Sequence, residues 1–71
     1  MSAERIKTTN DSETWKRIDG TRVDYVKITF DDDLDAVVVF GSDHKGPWVS
    51  DGDRYDSFEV ARRAWGLPDV K

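Results

Sequence analysis

Arg22-Val23-Asp24-Tyr25-Val26-Lys27-Ile28-Thr29-Phe30 is the stretch that decides the fold. Val26, Ile28 and Phe30 alternate with Lys27 and Thr29, and a period of two sends the apolar trio to one buried face of a β-strand. Upstream, Thr14-Trp15-Lys16-Arg17-Ile18 reads as a partner strand, reached through Asp19-Gly20, whose residues tolerate the positive φ of a tight hairpin. Two registers compete. A two-residue turn on Asp19-Gly20 sets Trp15 opposite Asp24. A four-residue loop pairs Trp15 with Val26 and Arg17 with Asp24, joining apolar to apolar and cation to anion, and this register is the one expected.

Working outward, Asp31-Asp32-Asp33-Leu34 ends the strand and turns the chain. Ala36-Val37-Val38-Val39-Phe40 is apolar throughout and rich in β-branched residues, as in a central strand covered on both sides or nearly so. Residues 41–47 form a loop and Trp48-Val49-Ser50 a short returning strand. Residues 1–13 are a polar N-terminal segment in which Arg5-Ile6-Lys7-Thr8-Thr9 can supply an edge strand and Asn10-Asp11-Ser12 a turn. Residues 14–71 form the single sheet-plus-helix domain.

One helix is expected near the C-terminal end. Asp56 is its predicted N-cap, with Glu59 closing a capping box and Tyr55 and Val60 forming a hydrophobic staple. Phe58, Ala61 and Trp65 share a face, while Glu59, Arg62 and Arg63 point to water. Gly66 supplies a left-handed stop and Pro68 blocks continuation. The expected fold class is α+β: a small antiparallel meander of three to five strands with one helix packed on one face. Trp15, Val26, Ile28, Phe30 and alternate members of 36–40 would meet Phe58, Ala61, Trp65 and Leu67 there.

Composition bounds the function. A chain of 71 residues buries only about 60% of its unfolded surface, leaving no room for a second core or a catalytic lobe. Charged residues make up 37%, but eight aromatics and eight valines are too many for a disordered tail. The absence of cysteine excludes a disulfide scaffold, a thiolate metal site and a cysteine nucleophile, and suits a reducing cell interior. No apolar run approaches the roughly 18 residues of a membrane span, and no apolar stretch follows Met1-Ser2-Ala3-Glu4-Arg5 as in a signal peptide. The expectation is a cytoplasmic protein with no membrane association.

The net charge of −4 is unevenly spread. Residues 31–56 hold eight aspartates against Lys45 and Arg54, whereas the flanking segments are each slightly basic. In a meander, every second turn falls at the same end of the sheet. The turns at 10–13, 31–35 and 51–56 would therefore gather Asp11, Glu13, Asp31, Asp32, Asp33, Asp35, Asp51, Asp53 and Asp56, with Arg54 as the nearby cation. Like charges a few ångströms apart repel by about 1 kcal/mol per pair even in a water-like dielectric, so nine at one end oppose folding. The blander account is that aspartate forms turns and caps helices, and that an acidic balance aids solubility.

Several specific chemistries fail on spacing. Asp31, Asp33 and Asp35 match positions one, three and five of an EF-hand, but Ala36 stands where glycine is needed and Ser42 where a bidentate glutamate is needed. A looser calcium or magnesium site from Asp51, Asp53 and Asp56 leaves a calcium-stabilised structural domain as one alternative. His44 is the only histidine, and its neighbours Ser42 and Asp43 cannot aim at it as a triad. Gly41 and Gly46 lack phosphate-loop spacing. No catalytic residue, resident metal or cofactor is expected, and the chain is not read as an enzyme.

The first alternative, ahead of the calcium-stabilised domain, is a weak nucleic-acid-binding module through Lys16, Arg17, Arg22 and Lys27 interleaved with Trp15 and Tyr25 on the first hairpin, with Arg62 and Arg63 as further cations. Phe58-Glu59-Val60-Ala61-Arg62-Arg63-Ala64-Trp65 behind a sheet is similar to the helix of plant ethylene-response DNA-binding domains, whose three-stranded sheet reads the major groove. That family's dense Arg/Trp strand pattern is missing, and generic sheet-and-helix packing accounts for the likeness. A pI near 4.7 supplies phosphate attraction poorly. The leading expectation is a small interaction or inhibitor protein that docks Asp31, Asp32, Asp33, Asp35, Asp51 and Asp53 on a Lys/Arg-rich surface of a nucleic-acid-processing protein. It would act as a DNA mimic of the type phages encode. Trp48 is either an anchor for that partner or a cap on the core, and an edge strand could pair two copies.

Overall fold

Across the first hairpin Trp15 faces Val26 and Arg17 faces Asp24, as packing and charge require. The loop is shorter than expected: Asp19 pairs with Arg22, leaving only Gly20-Thr21 in the turn. Gly20 has φ of 65° at the first central position, which a type II′ turn reserves for glycine, so four residues tighten to two without changing the pairing.

The structure, a computed structural model, describes residues 2–43 and 47–68. The expectations placed on His44, Lys45 and Gly46 lie outside the described residues. Five strands, β1 (Ser2–Thr8), β2 (Ser12–Asp19), β3 (Arg22–Asp31), β4 (Ala36–Ser42) and β5 (Val49–Ser50), form one antiparallel meander in sequence order. The helix α1 (Phe58–Ala64) packs against β3 and β4. This is the small α+β fold expected, with the edge strand drawn from the N-terminal segment and with two more strands than the ethylene-response sheet. Among the described residues no helix is long and apolar enough to cross a membrane.

The period of two sorts the sheet into unlike faces. Toward α1 point Trp15, Val26, Ile28, Val37 and Val39, which join Ala61 and Leu67 in one buried cluster. Val26, Ile28 and Val39 are fully buried, each contributing about 1.5–3 kcal/mol relative to exposure. Phe30 departs from the expected core: it is 38% exposed. Val37 opposite it is buried, but on its other side the β2 pairing has already ended at Thr29, so Phe30 lacks a strand neighbour there. Val38 departs in the opposite sense. It points away from α1, where no described element packs, yet is only 6% exposed. On that face Val38 stands opposite Thr29 and two residues from Phe40 along β4.

The helix starts one residue later than expected. Tyr55 and Val37 exchange backbone hydrogen bonds of 2.8 and 3.0 Å, so the chain is still strand-like at Tyr55 and Asp56 lies outside the helix. Ser57, extended at φ −157°, becomes the N-cap, its Oγ accepting from the Val60 amide at 3.2 Å. The Asp56 cap and the Glu59 capping box therefore do not form. Glu59 pairs with Arg63 instead, and with Ser57 as N-cap the staple positions shift to Asp56 and Ala61, so Tyr55 and Val60 no longer occupy them. Gly66 at φ 68° stops the helix as expected.

Arg62, expected in water, turns inward with Phe58 one turn before it. Its Nη1 donates to both carboxylate oxygens of Glu13, at 3.0 and 3.1 Å. Trp15 Nε1 donates to Glu13 Oε1 at 2.9 Å, and Arg5 lies 3.7 Å from Oε2. Glu13 is therefore not part of an acidic end but a buried, neutralised tie between β2 and α1. Arg62 Nε is buried with no hydrogen-bond partner, an uncompensated cost of about 1–3 kcal/mol. Removing one member of a buried pair strands the other charge. Glu13→Gln should therefore lower unfolding free energy by about 2–4 kcal/mol, read by urea denaturation, while Glu59→Gln on the exposed pair should cost under about 1 kcal/mol.

Candidate docking surface

The meander brings the 9–11 turn, the 32–35 turn and the segment leading into α1 to one end of the sheet. The Phe30 amide donates to the Asp11 carbonyl at 2.9 Å, which fixes the first of these turns against the end of β3. The β3–β4 turn is self-supported. Asp31 Oδ1 accepts from the Asp33 and Leu34 amides at 2.9 and 3.3 Å, the Asp35 amide donates to the Asp32 carbonyl, and Asp35 takes φ 51°, a conformation aspartate tolerates better than most residues. With its backbone held this way, the turn leaves Asp32, Asp33 and Asp35 exposed.

The carboxylates expected at this end divide into two groups. Asp11, Asp32, Asp33, Asp35, Asp53 and Asp56 are exposed and make no ion pair with any described residue, Asp11 accepting a hydrogen bond from the Thr9 hydroxyl at 3.1 Å. Asp31 caps its own turn, and Asp51 has internal work. The Asp51 amide donates to the Val39 carbonyl, short of the end of the sheet, and its Oδ2 accepts from the Tyr55 hydroxyl at 2.6 Å and from Trp65 Nε1 at 3.1 Å. Asp51 Oδ1 accepts from the Asp53 amide. Among the described residues no three His, Cys, Asp or Glu side chains are grouped closely enough to hold a metal ion. The calcium-stabilised alternative thus lacks a ligand set there.

Apolar surface accompanies the free carboxylates. Phe30 and Leu34, both at this end in sequence and topology, are exposed well beyond core level. Trp48, by contrast, precedes β5 at the opposite end; it is 40% exposed and so is not a cap on the core. It does not join the aspartates of the β3–β4 turn on one surface.

The basic residues of the first hairpin also part company. Trp15 is buried, and Arg17 lies on the α1 side. Arg17 grips Asp24 through Nε and Nη2 at 2.8 and 2.9 Å, stacks 5.2 Å from the Trp65 ring centroid and donates to the Trp65 carbonyl. That fork holds the Asp24 carboxyl below its ordinary range, the hydrogen bond from Arg17 outweighing burial. Lys16, Lys27 and Tyr25 point to the other face. A groove of about 480 Å³ opens beside Arg17, Asp24, Gly41 and Trp65, but Arg17 and Asp24 saturate each other there and form no base–nucleophile pair.

The periodic signal for Glu13 was present: it is in phase with Trp15 and Arg17 along β2, a spacing that places all three on one face. Comparison with protein-family models, with curated proteins and with solved structures finds no match for this chain.

The Asp51–Tyr55 bond has a pH signature. Burial first, and then the hydrogen bond to Asp51, push the Tyr55 hydroxyl above its ordinary value. A raised folded-state pKa favours the neutral phenol, so its stabilisation is complete below about pH 10, the unfolded value, and is lost as pH rises through the folded value. Urea denaturation from neutral to strongly alkaline pH should show the stability advantage over Tyr55→Phe shrinking only at the alkaline end. A constant gap would contradict the assignment.

Proposed function

We propose that this protein is a non-enzymatic binding protein of the cell interior. Its carboxylate-bearing end docks on a Lys/Arg-rich surface of another protein, one that otherwise holds nucleic-acid phosphates. The observation that carries this reading is the division of the acids. The ion-paired carboxylates Glu13, Asp24 and Glu59 lie on the α1 side of the sheet or on α1 itself, whereas Asp32, Asp33 and Asp35, with Asp53 and Asp56 on either side of exposed Arg54, face solvent without an ion pair to any described residue. Exposed Phe30 and Leu34 add the apolar contact area that a bound interface uses at its centre, with the carboxylates as its polar rim. A reducing interior suits a chain without cysteine.

Such docking is steered by charge. It should weaken with salt, because exposed charges are screened over about 8 Å at physiological ionic strength. The test is competition: the protein is added to purified nucleic-acid-processing proteins bound to labelled duplex, and release of the duplex is followed by gel shift. The expected result is release at low salt that fades as salt rises. The triple variant Asp32→Asn, Asp33→Asn, Asp35→Asn should lose it while its melting temperature holds or rises, since like-charge repulsion is removed and Asn suits the positive φ at position 35. Undiminished release by that variant would discard the reading.

A further inference from the structure

The sheet face turned away from α1 carries charge of the opposite sign. Cross-strand pairing builds it as two adjacent rows. One runs Lys7, Thr14, Lys27, Phe40 and Ser50, the other Glu4, Lys16, Tyr25 and Ser42. Residues directly opposite on neighbouring strands have Cβ atoms about 4.5–5.5 Å apart. Lys27 therefore stands between Thr14 and Phe40, Lys16 beside Tyr25, and Lys7 at the outer end of its row. Among the described residues of these two rows are three ammonium groups and two aromatic rings, with Glu4 as the only carboxylate. Asp31, farther along the same face, has an oxygen engaged by two backbone amides.

Lys16, Tyr25, Lys27 and Phe40 are each partly buried, and Val38 beside them is nearly inaccessible although no described element lies over it. The aliphatic stems of the lysines and the rings thus lie against the sheet, leaving the ammonium ends in water. This makes a low platform of rings interleaved with cations.

We infer that this face binds single-stranded nucleic acid: bases stack on Tyr25 and Phe40, and Lys7, Lys16 and Lys27 contact the phosphates. Both halves of the ligand are required by what the face offers. Every base has a π-face to lay on an aromatic ring, and a backbone tracking past lysines is held by charge. A duplex hides its base faces in its own stack. The acidic end of a second copy would match the lysines and bring Phe30 and Leu34 to the rings, but it would engage this face without the successive flat π-surfaces that stack on Tyr25 and Phe40. That contact would also join unlike surfaces and tend to propagate as an open chain. The net negative charge does not contradict the inference, because the unpaired aspartates sit on the turns at one end while Lys16 and Lys27 occupy the middle of the sheet and Lys7 its edge strand.

The experiment is fluorescence anisotropy with a labelled oligothymidylate of about 12 nucleotides, within the usual site size of a single sheet domain. Binding at low salt is expected, weakening about 20-fold between about 50 and 200 mM salt for three lysine–phosphate contacts. Lys16→Gln with Lys27→Gln should weaken it about tenfold or more, and Tyr25→Leu about fivefold or more with the salt slope unchanged. Lys7→Gln, on the edge strand away from the core, gives a second reading should the double variant not fold. Arg63→Gln, on the helix, should leave binding intact. The Asp32→Asn, Asp33→Asn, Asp35→Asn variant should bind the strand more tightly, the opposite of its effect on partner docking, so the two sites are separately testable. The inference is overturned by absence of binding at low salt, by full binding in the lysine variants, by equal affinity for a duplex, or by a sedimenting self-association that the lysine variants abolish.

Discussion

Glu13 ties the helix to the sheet, and the rest of the molecule is arranged around that tie. Its carboxylate takes two hydrogen bonds from Arg62 and one from Trp15, joining a helix of only seven residues to β2 in addition to the β3 and β4 surfaces it packs on. A short helix buries little area by itself, and most of its stability must come from tertiary contacts. A buried charge can also set orientation: once Arg62 must reach Glu13, the rotation of α1 about its axis is restricted, and Ala61 falls over the Val26, Ile28 and Val39 layer. The second anchor, Asp51 accepting from Tyr55 and Trp65, holds the segment before the helix and the residue after it.

A single short helix can cover only one face of a five-stranded sheet. The other face must be stable in water, and its composition meets that need: threonines, serines and lysines surround the few apolar residues. The outer edge of β1 is treated similarly. It carries Glu4, Arg5 and Lys7 and a register shift between Arg5 and Lys7, features that blunt pairing with further strands.

The overall charge of −4 conceals three populations. Carboxylates facing α1, Glu13 and Asp24, are consumed by arginines. Aspartates on the turns at one end remain unpaired. Lysines on the open face make no ion pair with a described acid. Two surfaces of opposite sign on one small body can engage two chemically different partners, which a uniform acidic coat could not. The proposed protein docking and the inferred strand binding draw on these separate surfaces.

The alternation in Arg22–Phe30 and the Trp15–Val26, Arg17–Asp24 pairing were legible in the sequence, because strand periodicity and cross-strand complementarity are local rules. So was the stop of α1 at Gly66, and so was the gathering of alternate turns at one end of a meander. What a linear reading missed were long-range choices. Whether Asp56 or Ser57 caps the helix depended on Tyr55 pairing with Val37, eighteen residues away. Whether Glu13 and Arg62 were surface charges or partners depended on which faces met, and a reading of each residue in its own segment assigned both to water. The same holds for Arg17 and Lys16, adjacent in sequence and counted together as basic. The pleat sends them to opposite faces, so only the folded sheet decided that one is spent on Asp24 and the other stands over open solvent.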